Sequence, residues 1–151
     1  MPIPEKGSPK PDGIWTRRVK IRFGQCDPGG NVYTPNFFDL MNSTVETWFE
    51  EVLGFDYSSF SRERNTGLGY VHASADFARP ATQGDTLDIA VFVQRLGATS
   101  LDLIFPFYNN GEEILRGRMV IVATSLSDHA KIPVPDDLRA AIEAKCKELP
   151  S

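Results

Sequence analysis

The feature that most constrains the fold is a helical pattern of apolar residues in the first third of the chain. Between residues 36 and 53, apolar side chains recur three and four positions apart, which is the spacing of an amphipathic helix. The stripe consists of Phe37, Leu40, Met41, Thr44, Val45, Trp48, Val52 and Leu53, and Phe49 widens it. Gly54 follows and suits the left-handed position that ends many helices. The pattern predicts one long helix over roughly residues 36–53, which other elements must cover on a broad arc.

The start of this helix is marked by two alternative capping patterns. Thr34 can be the N-cap with Pro35 at the first helical position, or Asn36 can cap with Asp39 three residues later. Either choice places the helix N-terminus close to the segment Gly24–Asn31, GQCDPGGN. The Gly, Pro, Asp and Asn content of that segment predicts a tight, irregular turn.

Alternating apolar residues predict strands on both sides of the helix. The predicted strands are Ile14–Phe23, Tyr70–Ala78, Thr86–Leu96, Thr99–Tyr108 and Ile114–Leu126. Turn residues between the last four strands predict a meander. In it, Tyr70–Ala78 and Thr86–Leu96 form a hairpin or its near relative. Residues 55–69 are predicted to connect the helix to this meander, and a terminal helix starts near Pro135 with apolar positions Leu138, Ile142, Cys146 and Leu149. This order predicts an α+β fold with the sheet covering the long helix.

Length and charge limit the class of protein. The chain has 151 residues, which suits one domain over residues 14–151 after a flexible arm at 1–13. The net charge of −4 offers no basic surface in bulk, so nucleic acid is not expected as a partner. No apolar run is long enough to span a bilayer, and residues 1–13 lack the apolar segment of a secretory signal. The chain contains only two cysteines, far apart in sequence, which suits a reducing compartment and predicts a cytoplasmic protein.

Few residues could carry chemistry. Asp27 is the strongest candidate, because a carboxylate beside a helix N-terminus could act as nucleophile or general base on a carbonyl held there. Alternatively, Asp27 could serve only to form the turn. A Cys26 nucleophile would need an adjacent base, so an inert, mostly buried thiol is predicted. His72 could face a pocket or hydrogen-bond within its strand, and His129 is predicted to be exposed. No metal-ligand spacing is present, so no metal is expected.

Two segments of the sequence resemble the signature of a known family. The first is Arg22–Phe37, RFGQCDPGGNVYTPNF, in which an aspartate precedes a Pro- and Gly-bearing turn, an aromatic position and an Asn just inside the helix. The second is Asp76–Pro80, DFARP, which is followed by Gly84 and Asp85. In this order they resemble the 4-hydroxybenzoyl-CoA thioesterase family of hotdog-fold proteins, and the resemblance extends over about residues 14–128.

The resemblance implies a fold, an assembly and a reaction. The implied hotdog fold is a long central helix wrapped by a five-stranded antiparallel sheet, with a short C-terminal helix added in this chain. The implied assembly is a homodimer or homotetramer with acyl-CoA sites at the subunit interface. Hydrolysis is completed by water, so no metal or redox cofactor is expected.

The resemblance also implies roles for single residues. Asp27 attacks the thioester carbonyl or activates water, and the backbone N–H of Thr34 polarises the carbonyl oxygen. Many relatives carry histidine or tyrosine where Thr34 stands, so the backbone donor is left as the main electrophilic group. Asn42 stands where the hydroxybenzoyl-specific enzyme has an acid that meets the ring hydroxyl, and an amide can still bond a hydroxyl. Tyr33 and His72 are further candidates for the substrate pocket.

The expected function is therefore hydrolysis of an acyl-CoA thioester to a free acid and CoA. The acyl group is left open between 4-hydroxybenzoyl, another aromatic or compact acyl group, and a medium aliphatic chain. The alternatives are an acyl-ACP thioesterase, a hotdog hydratase, and an acyl-CoA-binding hotdog protein without catalytic activity.

Overall fold

The long helix is the central element of the structure, a computed structural model that describes residues 2–146. Helix α1 covers Pro35–Trp48 and continues as a π-helical turn over Phe49–Leu53. It ends at Gly54, which has a φ of 82° and a left-handed conformation. The predicted long helix over residues 36–53 and its glycine stop are thus confirmed.

Within residues 2–146, six strands, two further α-helices and a 3₁₀ turn over Phe23–Gln25 complete the fold. The strands are β1 (Thr16–Lys20), β2 (Thr66–Phe77), β3 (Thr86–Ala90), β4 (Phe92–Leu96), β5 (Ser100–Asn109) and β6 (Glu112–Ser125). The helices are α2 (Tyr57–Glu63) and α3 (Asp136–Lys145). Leu149, a predicted apolar position of the terminal helix, lies outside the described residues.

The strands form one antiparallel sheet in the order β1-β3-β5-β6-β2, and β4 pairs with β5 alongside β3. β3 and β4 are successive parts of one strand path that is interrupted at Val91, so the sheet has the five predicted positions. The predicted hotdog fold is confirmed. The predicted meander is wrong at its first connection, because β2 pairs with β6 and β3 pairs with β1 and β5. The segment 78–85 therefore crosses the sheet instead of closing a hairpin.

Helix α1 packs against one face of the sheet. Its buried side chains share one core with Leu87, Phe105 and Phe107 of the strands. Gly117 in β6 permits the close approach of helix and sheet, since a Cβ there would collide with the sulfur of Met41. A side chain at that position would have to displace the fully buried end of Met41.

The other face of the sheet is partly covered by the N-terminal segment. Ile3 packs against a small apolar cluster made up of Ala90, Phe92, Ile104 and Tyr108. The Gly7 N–H donates to Oε1 of Glu113 at 3.0 Å, and the Lys10 N–H donates to the Gly111 carbonyl at 2.9 Å. The predicted flexibility of residues 1–13 concerns motion and stays a prediction. Within residues 2–146, no helix combines the length and apolarity needed to cross a bilayer.

Candidate active site

The turn that carries Asp27 is organised around its carboxylate. Oδ1 of Asp27 accepts hydrogen bonds from the N–H groups of Gly29 at 2.9 Å and Asn31 at 3.3 Å. The Asp27 N–H in turn donates to the Asn31 carbonyl at 2.8 Å. Oδ2 accepts no hydrogen bond from any described residue, and the side chain is exposed. The carboxylate is thus fixed through one oxygen and can present the other to a ligand.

Two glycines let the chain adopt this turn. Gly30 has a φ of +87°, a conformation that L side chains rarely adopt. A Cβ on Gly29 would lie 3.3 Å from Oδ1 of Asp27, which is tighter than an ordinary contact. The Gly-Gly pair after Pro28 therefore lets the carboxylate fold back onto the backbone.

Three hydrogen bonds fix the turn to the elements around it. The Val32 N–H donates to the Ala81 carbonyl at 2.9 Å, which ties the turn to the segment that crosses the sheet. The Gln25 carbonyl accepts the Tyr33 N–H at 2.9 Å and the side-chain amide of Asn36 at 2.8 Å. The start of α1 and the Asp27 turn are thus held in one rigid unit.

Thr34 occupies the N-cap position of α1 and Pro35 the first helical position, as in the first of the two predicted capping patterns. The Thr34 side chain makes no capping hydrogen bond. Within the described part of the chain, no group accepts the Thr34 N–H, and Pro35 has no N–H to donate. Thr34 therefore offers a backbone donor at the positive end of the helix dipole, which favours an anion.

Asp27 lies on the wall between two open clefts. The first, here called the helix-side cleft, is lined by Asp27, Asn31, Val32, Thr34, Phe77, Ala78, Arg79, Pro80 and Ala81. The second, the turn-side cleft, is lined by Phe23, Cys26, Asp27, Pro28, Gly29, Gly30 and Gln83. The helix-side cleft brings Asp27 and Thr34 together. Tyr33 is 57% exposed and is not among the residues that line either cleft.

The helix-side cleft also contains a cation that sequence reasoning missed. Arg79 lines its wall, and its guanidinium lies 2.8 Å from Oε1 of Glu112. The N–H groups of Ala78 and Arg79 both donate to the Ile114 carbonyl, at 2.9 and 3.0 Å. Arg79 belongs to the segment DFARP that carried the family resemblance, but charge patterning gave no reason to separate it from other scattered arginines.

Asn42 lies farther along α1, and its side chain meets β2. It is eight residues beyond Thr34, which is about 12 Å along a helix. The Tyr70 hydroxyl donates to Oδ1 of Asn42 at 2.7 Å. Burial, with further contributions from Tyr57 and Glu46, raises the pKa of Tyr70, so its hydroxyl stays protonated and remains a donor. The amide NH₂ of Asn42 is then the group left for a substrate.

The other candidates lie apart from Asp27 or lack partners for catalysis. His72 is exposed on β2, where Nε2 lies 2.9 Å from the Ser74 hydroxyl. Cys26 is half-buried in the turn-side cleft, and no histidine lines that cleft, so no adjacent base activates the thiol. His129 is exposed, as predicted. Across residues 2–146, no three His, Cys, Asp or Glu side chains are grouped as a metal site requires.

Comparison with known proteins identifies relatives over most of the chain. A 1,4-dihydroxy-2-naphthoyl-CoA hydrolase from Prochlorococcus marinus (strain MIT 9515) is 26% identical over 132 residues, which cover 83% of this chain and 86% of the relative. A hydrolase of the same name from Synechococcus sp. (strain RCC307) is 26% identical, over 82% of this chain and 97% of the relative.

Solved structures agree with these relatives. The crystal structure of a thioesterase superfamily protein from Jannaschia sp. CCS1 superposes with a TM-score of 0.82 at 26% identity, over 95% of this chain and 99% of the other. The structure of the gentisyl-coenzyme A thioesterase BH1999 gives a TM-score of 0.76 at 26% identity, over 84% of this chain and 98% of the other. The expected class of enzyme, a thioester hydrolase, is thereby confirmed, whereas assignment to the 4-hydroxybenzoyl-CoA branch stays a prediction. Because residues 21–142 match the thioesterase-like superfamily as well, the chain belongs to that superfamily.

Proposed function

We propose that this protein hydrolyses an aromatic acyl-CoA thioester to a free acid and CoA, with Asp27 as nucleophile or general base. The observation that carries the proposal is the shared cleft of Asp27 and Thr34, in which a carboxylate oxygen and a backbone N–H are both uncommitted among the described residues. The named substrates of the relatives, 1,4-dihydroxy-2-naphthoyl-CoA and gentisyl-CoA, support an aromatic acyl group.

Two routes use the same geometry. As nucleophile, Oδ2 of Asp27 bonds to the thioester carbonyl carbon, the C–S bond breaks, and CoA leaves as a thiolate that takes up a proton. Water then hydrolyses the mixed anhydride and regenerates the carboxylate. As general base, the same oxygen takes a proton from a water molecule whose oxygen attacks the carbonyl carbon; the C–S bond of the tetrahedral intermediate then breaks, and the thiolate takes up the proton. Both routes give one acid and one thiol for each water consumed.

The Thr34 N–H stabilises the charge that develops during either attack. The carbonyl oxygen becomes negative in the tetrahedral transition state, and the N-terminus of α1 adds the positive end of its dipole. One well-placed donor is worth about 3 kcal/mol of transition-state stabilisation. The side chain of Thr34 is not needed for this role, because the donor belongs to the backbone.

Recognition of the acyl group is proposed to involve Asn42, with Tyr33 and His72 as further pocket residues. Tyr70 holds the carbonyl end of the Asn42 amide, which leaves the NH₂ group to donate to an oxygen on an aromatic ring. A hydroxylated aryl acyl group therefore fits better than an aliphatic chain.

The working unit is proposed to be a cytoplasmic homodimer or homotetramer. Strand β2 forms one edge of the sheet and exposes 65% of Val71 and 50% of Phe77. An exposed strand edge that carries apolar side chains tends to pair with another chain in solution. Asn42 and His72 lie on or beside β2, so a second copy at this edge would bring residues of both chains to one site.

A panel of thioesters tests the proposal. We expect thiol release from 1,4-dihydroxy-2-naphthoyl-, gentisyl-, 4-hydroxybenzoyl- and benzoyl-CoA, with slower release from straight-chain acyl-CoA. Asp27→Asn should lower kcat at least a hundredfold while leaving the circular dichroism spectrum and Tm unchanged. Equal, slow release by wild type and Asp27→Asn from every CoA thioester, but rapid release from acyl-ACP, would redirect the assignment to a carrier-protein substrate.

A single turnover in H₂¹⁸O tests for the nucleophilic route. Attack of water on the Asp27 carbon of a mixed anhydride places ¹⁸O in the Asp27 carboxylate, which general-base catalysis cannot do, because it labels only the released acid. Mass spectrometry of the peptide that contains Asp27 reads out the difference.

A further inference from the structure

We infer that Arg79 is the anion contact for the phosphate-bearing leaving group, and that Glu112 competes with that anion for the guanidinium. The inference rests on the proposed function, since it concerns how a CoA thioester is held at the Asp27 site. It adds a binding residue and a competing partner outside the Asp27 turn and the start of α1.

Arg79 lies beside the groups proposed to act on the thioester. It lines the same cleft as Asp27 and Thr34, and no other described Lys or Arg lines either of the two clefts around Asp27. The protein as a whole carries a net charge of −4, and Asp27 adds a negative charge to the cleft itself. A polyanion approaching this carboxylate is therefore repelled unless a local cation offsets the charge.

The Arg79 guanidinium is less committed than those of two arginines on β6. Arg116 and Arg118 each direct two nitrogens at an acidic partner, Glu113 and Asp102 respectively. The Arg79 side chain is 63% exposed, and that of its partner Glu112 is 54% exposed. One guanidinium nitrogen faces that carboxylate, so further N–H groups can bond phosphate oxygens.

The backbone that carries Arg79 is held in place by its neighbours. Its N–H and that of Ala78 share the Ile114 carbonyl as acceptor, and the ring of Pro80 follows directly. The preceding Phe77 packs against Phe37 of α1, with ring centroids 5.5 Å apart. The backbone of Arg79 is thus fixed relative to the helix start, while its exposed side chain has room to turn from Glu112 to a ligand.

The chemistry specifies the ligand as a phosphate ester or diphosphate attached to pantetheine. An arginine fork binds phosphate through paired N–H···O bonds, and this contact is made by the leaving group, not by the acyl group. Arg79 should accordingly discriminate between leaving groups and be indifferent to the aryl ring.

The test compares three thioesters of the same acyl group, carried on CoA, dephospho-CoA and pantetheine. We expect Arg79→Met to lower the ratio of kcat/KM for the CoA thioester to that for the pantetheine thioester about tenfold. Arg79→Lys should recover part of the ratio, because it keeps the charge but loses the fork. Glu112→Gln should raise the ratio two- to fivefold, since an exposed competing pair is weak. Arg62→Met, on α2 and exposed, is the matched control and should leave the ratio at the wild-type value.

The dephospho-CoA thioester tells which phosphate is bound. If Arg79→Met also lowers kcat/KM for the dephospho-CoA thioester relative to the pantetheine thioester, the contact is with the diphosphate. If that relative kcat/KM is unchanged, the contact is with the 3′-phosphate. Both outcomes support the inference. A CoA-to-pantetheine ratio unchanged by Arg79→Met overturns the inference, whether the two kcat/KM values stay the same or fall by the same factor.

Calorimetric titration of free CoA separates this inference from the proposed function. Wild type should bind CoA about tenfold more tightly than Arg79→Met, even if no thioester is hydrolysed. Absence of hydrolysis with a preserved difference in Kd overturns the proposed reaction and keeps the anion contact. Equal Kd values overturn the anion contact.

Discussion

The side-chain amide of Asn36 donates to the Gln25 carbonyl at 2.8 Å and so joins the first turn of α1 to the segment that leads into Asp27. Asn36→Ala and Asn36→Asp both remove this donor, although aspartate keeps the shape of the side chain. We expect each variant to lower the free energy of unfolding by about 1 kcal/mol. We also expect a fall in kcat of about tenfold for each, because Asp27 and the Thr34 N–H lose their fixed relation. Urea unfolding and steady-state kinetics measure the two effects; wild-type kcat in Asn36→Asp would contradict the positioning role.

The oxyanion role of Thr34 can be tested by removing its N–H and nothing else in the backbone. Thr34 has a φ of −47°, within a few degrees of the range that a proline ring adopts, and no described residue accepts its N–H. Thr34→Pro should therefore fold and lower kcat by about a hundredfold. Thr34→Ala keeps the N–H and serves as the control, with kcat expected within about twofold of wild type. Similar losses in the two variants would assign the role to the hydroxyl instead.

The glycines of the Asp27 segment make different demands on the backbone. Gly30 has a φ of +87°, whereas Gly24 has no such φ and has no atom within 4 Å of a Cβ position. Gly30→Ala should lower the free energy of unfolding by about 1 kcal/mol, because an L residue is strained in that conformation. Gly24→Ala, in the same segment, should be neutral within about 0.5 kcal/mol. Equal midpoints of urea unfolding for the two variants would contradict this reading of the turn.

The Asn42 amide is expected to set selectivity for ring oxygens. Asn42→Ala removes the donor, and we expect the ratio of kcat/KM for 4-hydroxybenzoyl-CoA to that for benzoyl-CoA to fall about three- to tenfold. Tyr70→Phe removes the hydroxyl that orients the amide, and a smaller fall in the same ratio is expected. A ratio unchanged by Asn42→Ala would remove Asn42 from the acyl pocket.

The contact between α2 and α3 should depend on pH. Both carboxylate oxygens of Asp137 accept hydrogen bonds from Arg64, at 2.8 and 3.0 Å, and this contact holds the pKa of Asp137 below its usual value. The stabilisation is present above the unfolded pKa, about 3.9, and is lost as the pH falls through the lower folded value.

Asp137→Asn should therefore cost about 0.5–1 kcal/mol at pH 7, and the difference from wild type should close below about pH 4. Asp136→Asn is the matched control, since it removes a charge from the same helix turn without touching Arg64. Thermal unfolding of the three proteins between pH 3 and pH 7 measures the effect. A gap that stays constant with pH would show that the Asp137 charge is not responsible.

Local patterns predicted the elements well where the local sequence decides the outcome. The apolar stripe and Gly54 predicted α1, because both the buried face of the helix and its left-handed last residue are determined by residues close together in the chain. The start of β2 was missed, because Gly67 and Gly69 weaken the strand signal. Gly67 is small for a tertiary reason: a Cβ there would lie 2.6 Å from the Thr124 hydroxyl of the paired strand.

Strand pairing and the partners of side chains depend on distant residues. The turn residues between β2 and β3 mark a change of chain direction, but they do not determine which strand β3 pairs with. In the same way, the sequence predicted Asp27 from its local turn and Thr34 from a resemblance. It did not predict the position of Arg79, because segment 78–85 reaches Asp27 only by crossing the sheet.

The contact of Met41 with the bare backbone at Gly117 has a consequence for how this scaffold can vary. The end of the Met41 side chain occupies the space that a methyl group at residue 117 would take, near the middle of the longest strand. Because Met41 is fully buried, we expect a larger residue there to displace it together with α1, and the displacement to reach the helix start that follows Thr34. Substitutions at residue 117 should thus change the distance between the Thr34 N–H and the Asp27 carboxylate without replacing either group.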